Sequence, residues 1–214
     1  MLRGAAWLGL LLSLAACGEL IGIDDAHYDS SLEPGSEKAA DGGQGGDAEA
    51  GEGASCERYC DEILSVCEGD EAQYPNRETC LAVCAAFPRG TTGTKENSLA
   101  CRSRQVELAA IEPLVHCPFA GPGGAGECGS NCEGLCAITM ATCSSETSSS
   151  YYADIDACLA DCAEVPDLGE YGTGESEYTT GDHVQCRLYH ATAATQDAEH
   201  HCPHALGGDP CVND

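Results

Sequence analysis

The sequence predicts an all-α, small disulfide-rich fold: two tandem copies of a three-helix, four-disulfide domain after a disordered acidic linker. Three observations predict it. Sixteen of the 17 cysteines fall into two sets of eight with matching intervals, the short intervals have helical period, and the residues before the first set carry no pattern that builds a core. The first set is Cys56, Cys60, Cys67, Cys80, Cys84, Cys101, Cys117 and Cys128; the second is Cys132, Cys136, Cys143, Cys158, Cys162, Cys186, Cys202 and Cys211. Intervening residues number 3, 6, 12, 3, 16, 15 and 10 in the first and 3, 6, 14, 3, 23, 15 and 8 in the second. Agreement of this kind marks an internal duplication. It divides the chain into residues 1–16, 17–54, 55–128 and 129–214.

Residues 1–16 have the form of an export signal. Arg3 gives the positive start, and Ala5 to Leu14, with Trp7 and three consecutive leucines, gives an apolar run too short to span a bilayer. The run ends in Leu14, Ala15, Ala16 and Cys17, which resembles the lipobox of bacterial lipoproteins. The resemblance implies cleavage before Cys17, diacylation (palmitate or a similar chain) of its sulfur and acylation of the new amine. Each buried methylene adds about 0.8 kcal/mol, so several chains make a stable membrane anchor. It also accounts for the odd cysteine. Gly18 stands where the best-known sorting rule has a retaining aspartate, which favours the outer over the inner membrane.

Residues 18 to 54 lack helical or strand periodicity and are rich in Gly, Ala, Asp and Glu. They bury too little apolar surface to offset the entropy of ordering. A flexible segment of this length spans roughly 30 to 40 Å, the dimension of a stalk. The whole chain carries a formal charge of -27, and loss of Arg3 with the signal makes it -28. Such a surface repels nucleic acid and anionic lipid head groups, so a nucleic-acid partner is not expected. Acidity of this degree suits basic partners or loose binding of divalent cations, although solubility alone also accounts for it.

Each cysteine set occupies a length at which a hydrophobic core is marginal and disulfides supply the deficit. Outside the signal there is no Trp, and the chain has two Phe, so the cysteines form the core. Even sets in an exported chain argue for disulfides, whereas thiolate zinc sites favour CxxC and the spacing here is CxxxC. In the first helix, Ser55 to Cys67, Cys56, Cys60 and Cys67 share one face, as do Cys132, Cys136 and Cys143 in the second copy. A second helix carries Cys80 and Cys84, or Cys158 and Cys162; Asn76 and Asp154 stand where an N-cap is wanted, and Pro88 and Pro166 end the helix. Tyr74 and Tyr152 precede these helices at equal distances and are expected to cover the bridge. A third helix is expected from about Ser98 to Val115, and from His183 to His200.

Antiparallel packing of the two CxxxC helices pairs Cys56 with Cys84 and Cys60 with Cys80, mirrored by Cys132 with Cys162 and Cys136 with Cys158. The arrangement resembles the doubly bridged CxxxC helical hairpins of small plant and venom peptides, a likeness of geometry that carries no activity. The two cysteines of a continuous third helix face apart. The remaining pairs expected are therefore Cys67 with Cys101, Cys117 with Cys128, Cys143 with Cys186 and Cys202 with Cys211.

Beyond the cysteines, Cys101-Arg102 answers Cys186-Arg187, and His116-Cys-Pro-Phe-Ala120 answers His201-Cys-Pro-His-Ala205. With the lipobox and acidic stalk, this resembles the cysteine-rich lipoproteins of myxobacteria, a group that lends no mechanism. Five of seven histidines lie in the second copy: His183, His190, His200, His201 and His204. His200 and His204 have the spacing of a metal-ligating pair, although Pro203 is expected to interrupt the helix between them, and His183, His190 and His201 share a face of one straight helix on which residues seven apart already stand about 10 Å apart. No CxxCH, HExxH, GxSxG or EF-hand pattern occurs, and no catalytic residue or cofactor is expected.

The function expected from the sequence is that of a noncatalytic, lipid-anchored cell-envelope protein whose stalk presents stapled domains to a protein or envelope partner. A metal-binding (Cu or Zn) lipoprotein using second-copy histidines is the alternative, and a purely structural envelope component is the third reading.

Overall fold

Every segment with helical cysteine spacing is helical in the computed structural model, which describes residues 54–144, 151–173 and 176–212. Cys17, the expected signal and the acidic segment up to residue 53 lie outside the described residues. Among the described residues there are eight α-helices and no strand: α1 Cys56–Val66, α2 Arg77–Cys84, α3 Leu99–Ala109, α4 Pro113–Ala120, α5 Asn131–Thr142, α6 Ile155–Cys162, α7 Val184–Ala194 and α8 Ala198–Ala205. No described helix is long and apolar enough to cross a membrane.

Short side chains start these helices by accepting the orphan amides of the first turn. Ser55, Asn76, Ser98, Ser130, Asp154 and Asp197 all do so, and Ser130 with Glu133 forms a full capping box. His183 is the N-cap of α7, its Nδ1 accepting the Cys186 amide at 3.0 Å. The second helix of each copy ends before its proline, and that proline's carbonyl accepts the first amide of the next helix: Leu99 N to Pro88 O and Val184 N to Pro166 O, both 2.9 Å.

The expected third helix is two helices in each copy. Pro113 has no amide hydrogen and its ring collides with the preceding turn, so it opens α4 at its first position, where the missing donor costs nothing. In the second copy the break falls at Asp197, whose carboxylate caps α8 by accepting the His200 amide at 3.2 Å. The chain folds back at both breaks, and α3 packs on α4 as α7 packs on α8.

That reversal decides the disulfides. The structure pairs Cys56 with Cys84, Cys60 with Cys80, Cys132 with Cys162 and Cys136 with Cys158. The other four pairs correct the expectation from sequence. In place of Cys67–Cys101 and Cys117–Cys128 stand Cys67–Cys117 and Cys101–Cys128; in place of Cys143–Cys186 and Cys202–Cys211 stand Cys143–Cys202 and Cys186–Cys211. With α4 turned back beside α1, Cys117 rather than Cys101 meets the end of α1, and Cys101 is left for the tail.

The two copies also do not stand as separate domains. One apolar core takes Tyr59, Ile63, Val83 and Val106 from the first and Leu135, Ile138, Val184 and Leu188 from the second, within a single unit Glu49–Asp214. Thr173 bonds the Ala72 carbonyl through its amide at 2.6 Å and its hydroxyl at 2.9 Å. Gly134 lets α5 lie on the connection between copies: a Cβ there would stand 2.2 Å from the Pro122 carbonyl oxygen. The second-copy insertion after Pro166 thus serves as a strap. It supplies Thr173, buries Tyr171 and ends in a short 3-10 turn, Ser176–Thr179, packed on α7.

Equivalent positions diverge. Tyr59 and Tyr74 meet edge-on and share a hydroxyl hydrogen bond of 2.9 Å, and burial pushes Tyr59 up to about 12. The second copy has Leu135 where the first has Tyr59, and Tyr152 instead donates to Asp161 Oδ2 at 2.6 Å.

Candidate functional site

The fold-back of α8 onto α7 brings four histidines together. His190 comes from the middle of α7, and His200, His201 and His204 come from two turns of α8. His190 Nδ1 lies 2.9 Å from His201 Nδ1. The His190 ring centroid is 4.7 Å from that of His204, and His200 lies 4.6 Å from His201 and 5.2 Å from His204. Pro203 does not break α8; it sits inside the helix, as Pro118 sits inside α4, so His200 and His204 share a face as one i,i+4 pair. The straight-helix separation of His190 from His201 is overturned in the same way, because the chain reverses between them. His183 stands apart as a cap.

Protonation within the cluster follows from its partners. The Thr179 carbonyl can only accept, so His190 Nε2 carries the hydrogen that reaches it across 3.2 Å. His190 Nδ1 is then a bare acceptor, and His201 Nδ1–H donates to it. His204 Nδ1 is buried with no hydrogen-bond partner. Burial, and then the neighbouring His204, His201 and His200, lower the pKa of His190 to about 4 despite the Thr179 bond; burial and His200 lower His201 as well.

This gives a pH dependence for the metal-free protein. An unfolded histidine takes up its proton near pH 6.5 and folded His190 near 4, so between them the unfolded state holds more protons and stability falls as pH drops. The loss is expected to reach about 2 kcal/mol at pH 4, after discounting for water admitted beside exposed His200, and to level off below. Chemical denaturation in EDTA at stepped pH checks it: His190→Gln should flatten this part of the profile, and an unchanged profile would mean that another group carries it.

The first copy explains what is new here. Its helices α3 and α4 align with α7 and α8 without a gap and with the same bounds, and at the four cluster positions it carries Gln105, Val115, His116 and Phe119. His116 Nδ1 bonds Gln105 Oε1 at 2.8 Å, the counterpart of the His190–His201 contact. The second copy thus shares one histidine with the first and has three more around it. Sequence reasoning singled out His200 and His204 and missed their union with His190 and His201; aligning the two copies position by position carries that signal.

Among the described residues, one group of three His, Cys, Asp or Glu side chains already has its donor atoms gathered, and it is closed. Cys186, His190 and Cys211 offer atoms within 4.8 Å of one another, but the two sulfurs form a disulfide. The cluster is therefore a nitrogen-only donor set.

Fold and site define an all-helical, disulfide-stapled duplicated protein with a histidine cluster in one copy. A family model described as the BfoA family C-terminal domain matches residues 44–131, which is the first copy with the acidic residues before it and the opening of α5. No curated protein and no solved structure matches the chain.

Proposed function

We propose that this chain is a noncatalytic, lipid-anchored protein of a bacterial cell envelope, held at the outer membrane through Cys17, that presents one stapled helical unit to a protein partner. The observation that carries the reading is an apolar corner between α3 and α4. Ile111, Leu114 and Val115 are 80%, 72% and 47% exposed there. Exposed Glu107 and Glu112 adjoin them, and the turn Gly69–Glu71, with exposed Asp70, packs on α4. An acidic rim around apolar contacts fits a partner surface with an apolar pocket and basic rim. Disulfides support the setting, because they persist in oxidising compartments.

The test uses full-length protein in envelopes of a lipidating host. Intact mass is expected to show a lipid adduct on Cys17 and no free thiol. A photo-crosslinker at position 114 is expected to give one discrete protein adduct, which Ile111→Glu removes. Crosslinking with no discrete adduct overturns the partner and leaves a purely structural envelope component; an unmodified Cys17 overturns the anchor.

A further inference from the structure

We propose that His190, His201 and His204, with His200 as the outer fourth ligand, form a binding site for one divalent zinc or copper ion. The inference goes beyond the presentation of a binding surface and does not depend on it.

Four features of the cluster support it. First, the four rings gather from two helices that pack on each other, and each helix is anchored elsewhere by a disulfide: α8 to α5 by Cys143–Cys202, and α7 to the tail by Cys186–Cys211. Second, His190 has the outer contact that metal-bound histidines use. Its Nε2–H donates to the Thr179 carbonyl, which fixes the tautomer and aims the Nδ1 lone pair at His201. Third, His204 Nδ1 is buried and unpartnered beside that pair, a polar atom that nothing in the protein satisfies. Fourth, three of the four histidines stand where the first copy, with the same helix bounds and cysteine positions, has Gln105, Val115 and Phe119. A frame that is stable with glutamine, valine and phenylalanine does not need imidazoles there for packing.

One pair of nitrogens already stands near ligand spacing, and His200 and His204 are brought in by side-chain rotation. Nitrogens about 2.0 to 2.1 Å from a tetrahedral ion stand about 3.3 Å apart. His190 Nδ1 and His201 Nδ1, now 2.9 Å apart across a shared hydrogen, need to open by only a few tenths of an ångström. On binding, the ion takes the position of that hydrogen, and His201 carries its proton on Nε2 instead of Nδ1. This tautomer shift leaves the charge of the ring unchanged. An all-imidazole set suits zinc and copper(II), and the disulfide keeps the neighbouring sulfurs from supplying thiolates.

The experiment titrates untagged full-length protein with zinc or copper(II) against a chromophoric chelator, in excess calcium so that surface carboxylates are already occupied. One equivalent is expected for at least one of the two ions. His190→Gln and His204→Phe install the residues that the first copy carries, and each is expected to weaken binding about tenfold or more; His116→Gln is expected to leave it unchanged. Nonreducing intact mass with no free thiol among the sixteen cysteines from Cys56 to Cys211 verifies that the variants keep their bridges. Electron paramagnetic resonance of the copper(II) form is expected to show coupling to at least three imidazole nitrogens. No stoichiometric retention of either ion, equal retention by the His190→Gln/His204→Phe double variant, or an oxygen-only copper spectrum would each overturn the site.

Discussion

Replacing Cys143 and Cys202 together with serine is expected to lower the stability of the unit by about 4 kcal/mol, the chain-entropy cost of freeing a loop of 59 residues. This bridge closes the longest loop among the eight, although the logarithm makes it only modestly more stabilising than the 22-residue Cys136–Cys158 loop. What raises its importance is position. It joins the end of α5 to α8, and α8 otherwise leans mainly on α7. Denaturant midpoints of the double variant and the parent give the number. A change under 1 kcal/mol would count against the pairing, and peptide mapping then decides directly: cleavage after Glu146 and Glu199 separates Cys143, Cys186 and Cys202, and acid cleavage between Asp209 and Pro210 separates Cys202 from Cys211, so the peptide holding Cys143 must travel with the Cys202 fragment and not with the Cys186 peptide under nonreducing conditions.

The hairpin bridges were legible in the sequence for a local reason. CxxxC sets two sulfurs on one face of one helix, and two such helices joined by a short loop have one sensible register. Nothing local fixes the other four pairs, which depend on where the third segment reverses. Pro113 and Asp197 were visible, and both are ordinary helix-start residues. They were outweighed by helical residues on either side that read as one run. The same reversal hid the site. His190 and His201 are eleven residues apart, a spacing that on a straight helix separates rings, and only an antiparallel fold-back makes them neighbours. Pro203 misled in the opposite direction: a proline inside an eight-residue helix forfeits one hydrogen bond, and both copies accept that. Fusion of the copies into one core rests on glycine approaches such as Gly134 against Pro122, which cysteine spacing does not report.

Arg102→Ala is expected to cost about 3 to 5 kcal/mol, whereas Arg187→Ala at the matching position should cost about 1 kcal/mol. The difference follows from surroundings. Arg102 is fully buried, and its hydrogen bonds all go to carbonyls: Nε to Gly121 and Nη2 to Pro122, both at 3.0 Å, and Nη1 to Ser98 at 3.4 Å. Its guanidinium lies 3.8 Å above the Phe87 ring, and burial pulls its pKa down. Alanine would strand those carbonyls and leave a cavity against Phe87. Lysine, a single ammonium, cannot span the Gly121 and Pro122 carbonyls while stacking on the ring, so Arg102→Lys should also destabilise. In the second copy the position of Val83 is taken by Asp161, and Arg187 turns to it at 2.6 Å. That aspartate is about half exposed, so water replaces much of what the mutation removes. The ordering is the test. Equal costs at the two positions would mean that Arg102 is held by packing any large side chain provides, and Arg102→Met would then restore full stability; a Met variant still well below the parent would leave the carbonyl bonds as the cause.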